Sequence, residues 1–310
     1  MIKFQRNYHI TVDTEADENL HWNGTSWQNV ETDKPFKEPA KVEITMPFTM
    51  TFDINRNVMS GANTSKITLY NLNADTRKKI YKDQFRTAIY KGITVRAGYG
   101  MENNPKLLPI IFKGNLKCAY SKREGTEYLT EIEAYDGGFA FVNGYQSTNF
   151  VKGSQRNDVI DTLINGLPHI NKGAVGDFND IMPRGNALTG SVIENLQQIT
   201  NGNFFIDCEK AYCLLPNEYL EGDLQVVRAD TGLLSCPVRE ETYLKIKTLF
   251  EPRVRVGQGI SLESTTNSEF NGLYKVMGFR HHGTISAAQG GSCKTEMTLY
   301  YGVNKLVGTN

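Results

Sequence analysis

The chain has 310 residues, with 34 Lys plus Arg set against 34 Asp plus Glu, for a formal net charge of zero. Its length leaves room for two or three domains, and its neutrality argues against a protein that grips nucleic acid through phosphates, which takes a strongly basic face. With 39% hydrophobic and 22% charged residues it reads as an ordinary globular chain, without an apolar run long enough to span a membrane.

The opening Met1 to Asn7 lacks the apolar stretch and small-residue site of a secretory signal. Five cysteines, at 118, 208, 213, 236 and 293, are scattered, and no CxxC pair occurs. Zinc sites bring close ligand pairs, so neither a metal nor a cofactor is expected. Cysteines in this pattern read as small buried hydrophobes in a reducing compartment, with Cys208 on a strand or at its end.

In chain order, Tyr8 to Val12 reads as a short strand. Residues 13–41 then turn polar and carry Pro35, Pro39 and both tryptophans, Trp22 and Trp27. That composition predicts an exposed arm, with each tryptophan either a partner anchor or a local packing plug. From Val42 to Asn55 the alternation is nearly unbroken: Val42, Ile44, Met46, Phe48, Met50, Phe52 and Ile54 share one face, and Glu43, Thr45, Thr49, Thr51 and Asp53 the other. Period two predicts a strand with one buried face, and Pro47 predicts an edge or a bulge.

A strand at 66–72 follows, then a short helix capped by Asn73 or Asp75 and ending near Lys82. Strands are expected at 92–99, 108–118 and 127–135, the last two parted by a charged turn at 122–125. After Thr148 the pattern becomes helical at 157–167 and at 186–200, the latter started by Thr189 or Ser191. A hairpin around Glu209-Lys210 comes next. Strands return at 244–250, 259–263, 272–280 and 294–301.

Three segments recur in order. Gly92-Ile93-Thr94-Val95 resembles Gly259-Ile260-Ser261-Leu262, Phe112-Lys113-Gly114 resembles Phe270-Asn271-Gly272, and the stretch Thr130 to Tyr135 resembles Thr295 to Tyr300. An ordered repeat of β segments predicts two copies of one small β unit with the helical segment inserted between them. The expected fold is mainly β with an α+β insert.

Catalytic patterns are missing. There is no phosphate loop, no dinucleotide fingerprint, no His-Glu-x-x-His and no Gly-x-Ser-x-Gly elbow. His281 and His282 are adjacent, so on a strand they face opposite ways and cannot share a metal. The carboxylate pairs Glu131/Glu133 and Glu240/Glu241 are candidates for glycosidase chemistry, but alternating Glu on a strand reads as a solvated face. Arg77-Lys78-Lys79 reads as the wet side or charged end of a short helix. Arg253-Val254-Arg255 reads as an alternating strand facing a partner or a lumen, without the aromatics that stack bases. The chain reads as a non-enzyme.

The segment Phe48 to Arg56, Asn63 to Ser65, and Ile67 to Asn73 with Arg77 and Ile80 resemble the opening of baseplate hub proteins from contractile phage tails, the late control protein D-like family. Thr231 to Leu234 with Pro237, Leu249 to Pro252, and Val256-Gly257 resemble that family's entry into its second barrel. Gly272 to Val276 with His281 to Thr284 resembles its closing hairpin.

The resemblance implies two tail-tube-like β-barrel domains, at 1–148 and 229–310, flanking a small α+β domain at 149–228. It implies a homotrimeric ring of pseudo-six-fold symmetry that adapts a hexameric tail tube to a trimeric spike and lines the DNA channel. The expected partners are further copies of the chain, the tail tube protein, the central spike protein, and tape measure and baseplate wedge proteins. DNA passes without specific binding. The expected location is the virion baseplate, assembled in the host cytoplasm. Catalytic residues do not carry over, and with no spike-like segment after the second barrel the spike is expected to be a separate polypeptide. The alternatives are a hexameric tail-tube or distal-tail subunit, and a tail-associated peptidoglycan hydrolase.

Overall fold

The computed structural model describes residues 5–14, 20–22, 27–29, 40–59, 61–87, 89–100, 104–287 and 290–308. The first part runs β1 (Arg6–Asp13), a short hairpin of β2 (Leu20–Trp22) and β3 (Trp27–Asn29), β4 (Lys41–Thr45), β5 (Met50–Asn57), β6 (Thr64–Tyr70), α1 (Ala74–Ile80), β7 (Gly92–Tyr99), β8 (Ile110–Glu124) and β9 (Glu127–Tyr135). Their order in the sheet is β5-β6-β9-β8-β7-β1-β4. Inward-facing residues such as Tyr8, Ile10, Phe52, Ile67, Val95, Phe112 and Ile132 fill the core beneath this sheet.

The single strand expected from Val42 is two strands. Pro47 cannot donate to a ladder, and the chain turns over Met46 to Phe48, so β4 pairs with β1 while β5 pairs elsewhere. The Tyr8 hydroxyl donates to the Phe48 carbonyl at 2.7 Å and pins this corner. The Asn73 side chain caps α1 by accepting from the Thr76 amide at 2.7 Å. Most of the polar arm lies outside the described residues, the side chains of Trp22 and Trp27 included.

A middle part follows: α2 (Gly138–Asn143), β10 (Tyr145–Phe150), α3 (Arg156–Asn165), β11 (Asn171–Val175), β12 (Asn186–Ser191), α4 (Val192–Ile199), β13 (Phe204–Ile206) and β14 (Lys210–Cys213). The helix expected over 186–200 is a strand for its first six residues. Gly190, at φ +102°, takes a conformation closed to a right-handed helix, so β12 pairs with β10 and Ser191 caps a shorter α4. The stripes Val159, Ile160, Leu163, Ile164 and Val192, Ile193, Leu196 close a second core.

The chain ends in β15 (Glu218–Leu220), β16 (Val226–Arg228), β17 (Val238–Glu240), β18 (Tyr243–Leu249), β19 (Gly259–Glu263), β20 (Gly272–Ile285), β21 (Cys293–Tyr301) and β22 (Lys305–Val307). Ile246, Ile260, Leu262, Val276, Met297 and Leu299 pack a third core, which Phe205 and Leu214 join from the middle part.

The strand order β17-β18-β21-β20, with β19 also on β20, repeats the order β5-β6-β9-β8-β7. In both copies the long penultimate strand carries a bulge, between Leu116 and Cys118 in β8 and between Val276 and Gly278 in β20. Gly92 opposite Asn115 matches Gly259 opposite Lys275, and Ala134 opposite Leu116 matches Leu299 opposite Val276. Two of the three sequence matches are therefore structurally equivalent. The third is not: Phe112 lies in β8, whereas Phe270 lies in the 3-10 turn before β20, and the residue in the place of Phe112 is Gly272.

The two copies do not stand apart. Beyond its bulge β20 leaves β19 and pairs with β5, Gly278 opposite Asn57 through Ile285 opposite Met50, so both copies belong to one 13-stranded sheet.

Candidate functional site

Because β20 joins β5, one polar face runs without a break over β17, β18, β21, β20, β5, β6, β9 and the end of β8. The register puts Glu240, Lys245, Lys247, Glu296, Thr298, Arg280, His282, Asp53, Asn55, Lys66, Thr68, Glu131, Glu133, Tyr120 and Lys122 on it. The opposite face of the same strands supplies the first and third cores. Over its second-copy half the polar face borders an open hollow of about 710 Å³ lined by Asn55, Val238, Tyr243, Arg280 and Glu296.

Asp53, Glu131, Glu133, Glu240 and Glu296 on this face are each ion-paired with a neighbour across the strands. Arg280 Nε and Nη2 donate to Asp53 at 2.8 and 2.5 Å. Lys122 and the Tyr120 hydroxyl both reach Glu131 at 2.5 Å. Lys66 and Lys117 flank Glu133 at 3.5 and 3.0 Å. Lys247 lies 3.1 Å from Glu296, and Lys245 lies 2.6 Å from Glu240.

The pairing shows in the acidities. The hydrogen bond from Lys122 lowers Glu131, that from Lys117 lowers Glu133, that from Arg280 lowers Asp53, and that from Lys247 lowers Glu296. These carboxylates stay ionised at neutral pH. A glycosidase acid needs the reverse, a carboxyl held protonated, so the Glu131/Glu133 pair is a laced polar surface rather than a proton donor.

Under the sheet is a second polar cluster. Arg56, on the core side of β5, donates from Nε to Asp207 Oδ1 at 2.7 Å, from Nη2 to Asp207 Oδ2, and from Nη1 to the Ile111 carbonyl at 2.9 Å. Its guanidinium also lies over the Phe279 ring at 4.9 Å. Burial disfavours the charge and the Asp207 carboxylate more than restores it, so Arg56 stays charged.

Asp207 opens the β13–β14 turn, whose Cys208 and Glu209 both have φ above +50°. Asp136, just after β9, accepts from the amides of Cys208 and Glu209 at 2.5 and 2.8 Å. Lys113 pairs with Glu209 at 2.8 Å, and the Tyr90 hydroxyl donates to the same carboxylate. Asn63 donates to the Ile206 carbonyl at 2.9 Å. Burial, helped by the charge of Asp207, pushes the Asp136 carboxyl up to about 7. The turn of the middle part is thus plugged into the first copy, beside the strand that carries the second.

His281 and His282 do face opposite ways. His281 is buried against Phe250 and Phe279, with Nδ1 2.9 Å from Thr295 Oγ1, and burial holds its imidazole far below the usual value. His282 lies on the polar face, 3.9 Å from Glu296. Arg253-Val254-Arg255 is not a strand but part of the turn between β18 and β19, where Pro252 and Gly257 bound it. Val254 is buried there, and Arg253 pairs with Glu251 at 2.7 Å.

Arg77 lies over the Tyr128 ring at 4.0 Å, in the last turn of α1. Glu241 sits in the turn after β17 at φ +52°. Cys118, Cys213 and Cys293 are buried, but Cys236 is exposed and Cys208 lies in the plugged turn rather than on a strand. Among the described residues no group of three His, Cys, Asp or Glu is placed to hold a metal, and no helix is long and apolar enough to cross a membrane.

Arg56 is the residue that sequence reasoning missed, although a signal was present. It extends the apolar face of Phe52 and Ile54, where an arginine needs a buried partner.

Residues 181–284 match the family described as Baseplate hub gp41. The fold is similar to that of the tail protein from Neisseria meningitidis MC58, at 12% identity over 94% of this chain and 96% of that one, with a TM-score of 0.52. It is also similar to the 43 kDa tail protein of prophage MuSo2 from Shewanella oneidensis, at 6% identity over 94% and 96%, with a TM-score of 0.57. A third likeness is to the E. coli c3393 protein, a type VI secretion component described as similar to T4 tail proteins gp27 and gp5; it has 8% identity over 82% and 74%, and a TM-score of 0.50. None of the curated proteins matches the chain. The fold is thus similar over nearly the whole chain to that of two tail proteins, and residues 181–284 resemble the baseplate hub family.

Proposed function

We propose that the chain is the structural hub of a contractile phage baseplate. Three copies form a ring in which the two repeats of each chain, tube-like units at 1–148 and 229–310, give six similar units around a channel, with the part at 149–228 set between them. One side of the ring meets the hexameric tail tube and the other the trimeric spike. A symmetry mismatch of this kind is solved by a repeat within the chain. The protein is a virion component, assembled in the host cytoplasm, and tape measure and wedge proteins are further contacts.

The observation that carries this reading is the unbroken polar face shared by both repeats. A channel wall for DNA must be wetted without gripping phosphates. Arginines and lysines already paired with carboxylates have little left to offer a polyanion. The role is structural, since the laced carboxylates hold no proton to give. A tail-tube hexamer needs one unit per chain, and this chain has two related units.

Native mass measurement with negative-stain imaging tests the proposal. Annular particles of three times the 34.8 kDa chain mass are expected, and monomers without a hole would refute it.

A further inference from the structure

The seam between the two repeats is a template for a contact that the single chain leaves unfilled. Within the chain, the far half of β20 pairs with β5, placing Arg280 opposite Asn55, His281 opposite Ile54 and His282 opposite Asp53. Among the described residues the equivalent half of β8, from Tyr120 to Glu124, pairs only with β9, and all five residues are exposed. Its other edge meets a single bridge, Lys82 to Ala119. The equivalent of β5 is β17, which among the described residues ends the sheet and pairs only with β18, and is exposed throughout. Two open strand edges of one fold invite pairing.

The repeat fixes how they meet. Superposing the bulges sets Tyr120 in the place of Arg280 and Lys122 in the place of His282. On the other side Val238 faces Lys245 as Asp53 faces Lys66, so Val238 and Glu240 stand where Asp53 and Asn55 do.

We propose that β8 of one copy pairs antiparallel with β17 of the next, with Tyr120 opposite Glu240, Ser121 opposite Arg239 and Lys122 opposite Val238. The contact is head-to-tail and closes into a ring rather than a two-fold dimer. It carries the polar face across the junction and covers Val238 and Tyr120, which are 56% and 44% exposed in the single chain. The inference rests on the ring reading above and adds to it the edges and the register.

The amide and carbonyl of Ala119 both point to the open edge, where they bond Lys82, so those of Ser121 do as well and those of Tyr120 do not. Tyr120 and Glu240 therefore form a non-hydrogen-bonded pair, with Cα atoms about 4.5 Å apart, within disulfide range.

The test is the variant Tyr120→Cys/Glu240→Cys, made with Cys236→Ser. Mild oxidation should move most of the chain into covalent multimers on a non-reducing gel, reversed by dithiothreitol, while each single-cysteine variant stays monomeric on the gel. Arg239→Pro, which removes an amide facing the seam, should reduce the native mass to that of one chain with an unchanged far-UV circular dichroism spectrum. A wild-type ring with no cross-link in the double variant, or with a stronger cross-link in Tyr120→Cys/Arg239→Cys, would overturn the register and leave the ring standing. A wild-type monomer would overturn both.

Discussion

Arg56 and Asp207, 151 positions apart, form a buried ion pair in which the guanidinium also holds the Ile111 carbonyl and lies over Phe279. One side chain thus touches all three parts of the molecule: the first repeat through β5 and β8, the middle part through its turn, and the second repeat through β20. A buried charge left without its partner typically costs about 3–5 kcal/mol. Arg56→Met should therefore destabilise the fold by about that much in urea unfolding, and Arg56→Met/Asp207→Leu should recover most of the loss. A single-variant loss below about 1 kcal/mol would show that the pair does not hold the junction.

Asp136 gives the junction a pH dependence of unusual sign. Its folded pKa, raised to about 7, exceeds the unfolded value of 3.8, so the folded state binds the extra proton between those values. Its contribution to stability is fully present below the unfolded value and declines as pH rises toward 7. The stability difference between wild type and Asp136→Asn should accordingly grow as pH falls from 7.5 to 5, by at most about 1.4 kcal/mol per pH unit. Paired urea melts at the two pH values read it, and a difference that shrinks on acidification would be contrary.

Neutrality of the polar face has a direct consequence for DNA. Glu131→Gln/Glu133→Gln/Glu296→Gln leaves Lys66, Lys117, Lys122 and Lys247 without their acids. Wild-type protein should not retard duplex DNA at about 0.15 M salt, whereas the triple variant should, and its affinity should fall steeply as salt rises. Equal retention of both proteins would remove the argument from charge.

The cap of α1 is a local check. Asn73→Ala removes the acceptor for the Thr76 amide and should cost about 1 kcal/mol in a thermal or urea melt. No change would mean that α1 is held by the burial of Ile80 alone.

Much of the polar face was legible in the sequence. Period-two alternation through Phe52 and Ile54, and again through Glu131 and Glu133, already says which side is wet, and the recurrence of Gly92-Ile93-Thr94-Val95 at Gly259 exposes the repeat. The fusion of the two copies was not legible. It depends on β20 bending at its bulge to leave one neighbour for another, and no local composition marks which strand it will meet. The break at Pro47 and the strand from Asn186 to Ser191 were misread because alternation and helical stripes run through residues whose backbone, at Pro47 and Gly190, cannot follow. The plugged turn reads in the sequence only as a hairpin around Glu209-Lys210, because the partners of Asp207 and Glu209, namely Arg56, Lys113 and Tyr90, lie far off along the chain.

The central claim, that one duplicated chain builds a six-unit ring from three copies, is tested most directly by native mass measurement and symmetry averaging of the purified protein. The expected result is a closed particle of three times 34.8 kDa, with six similar lobes of two alternating kinds around a hole. A six-chain ring, or a monomer without a hole, would contradict it.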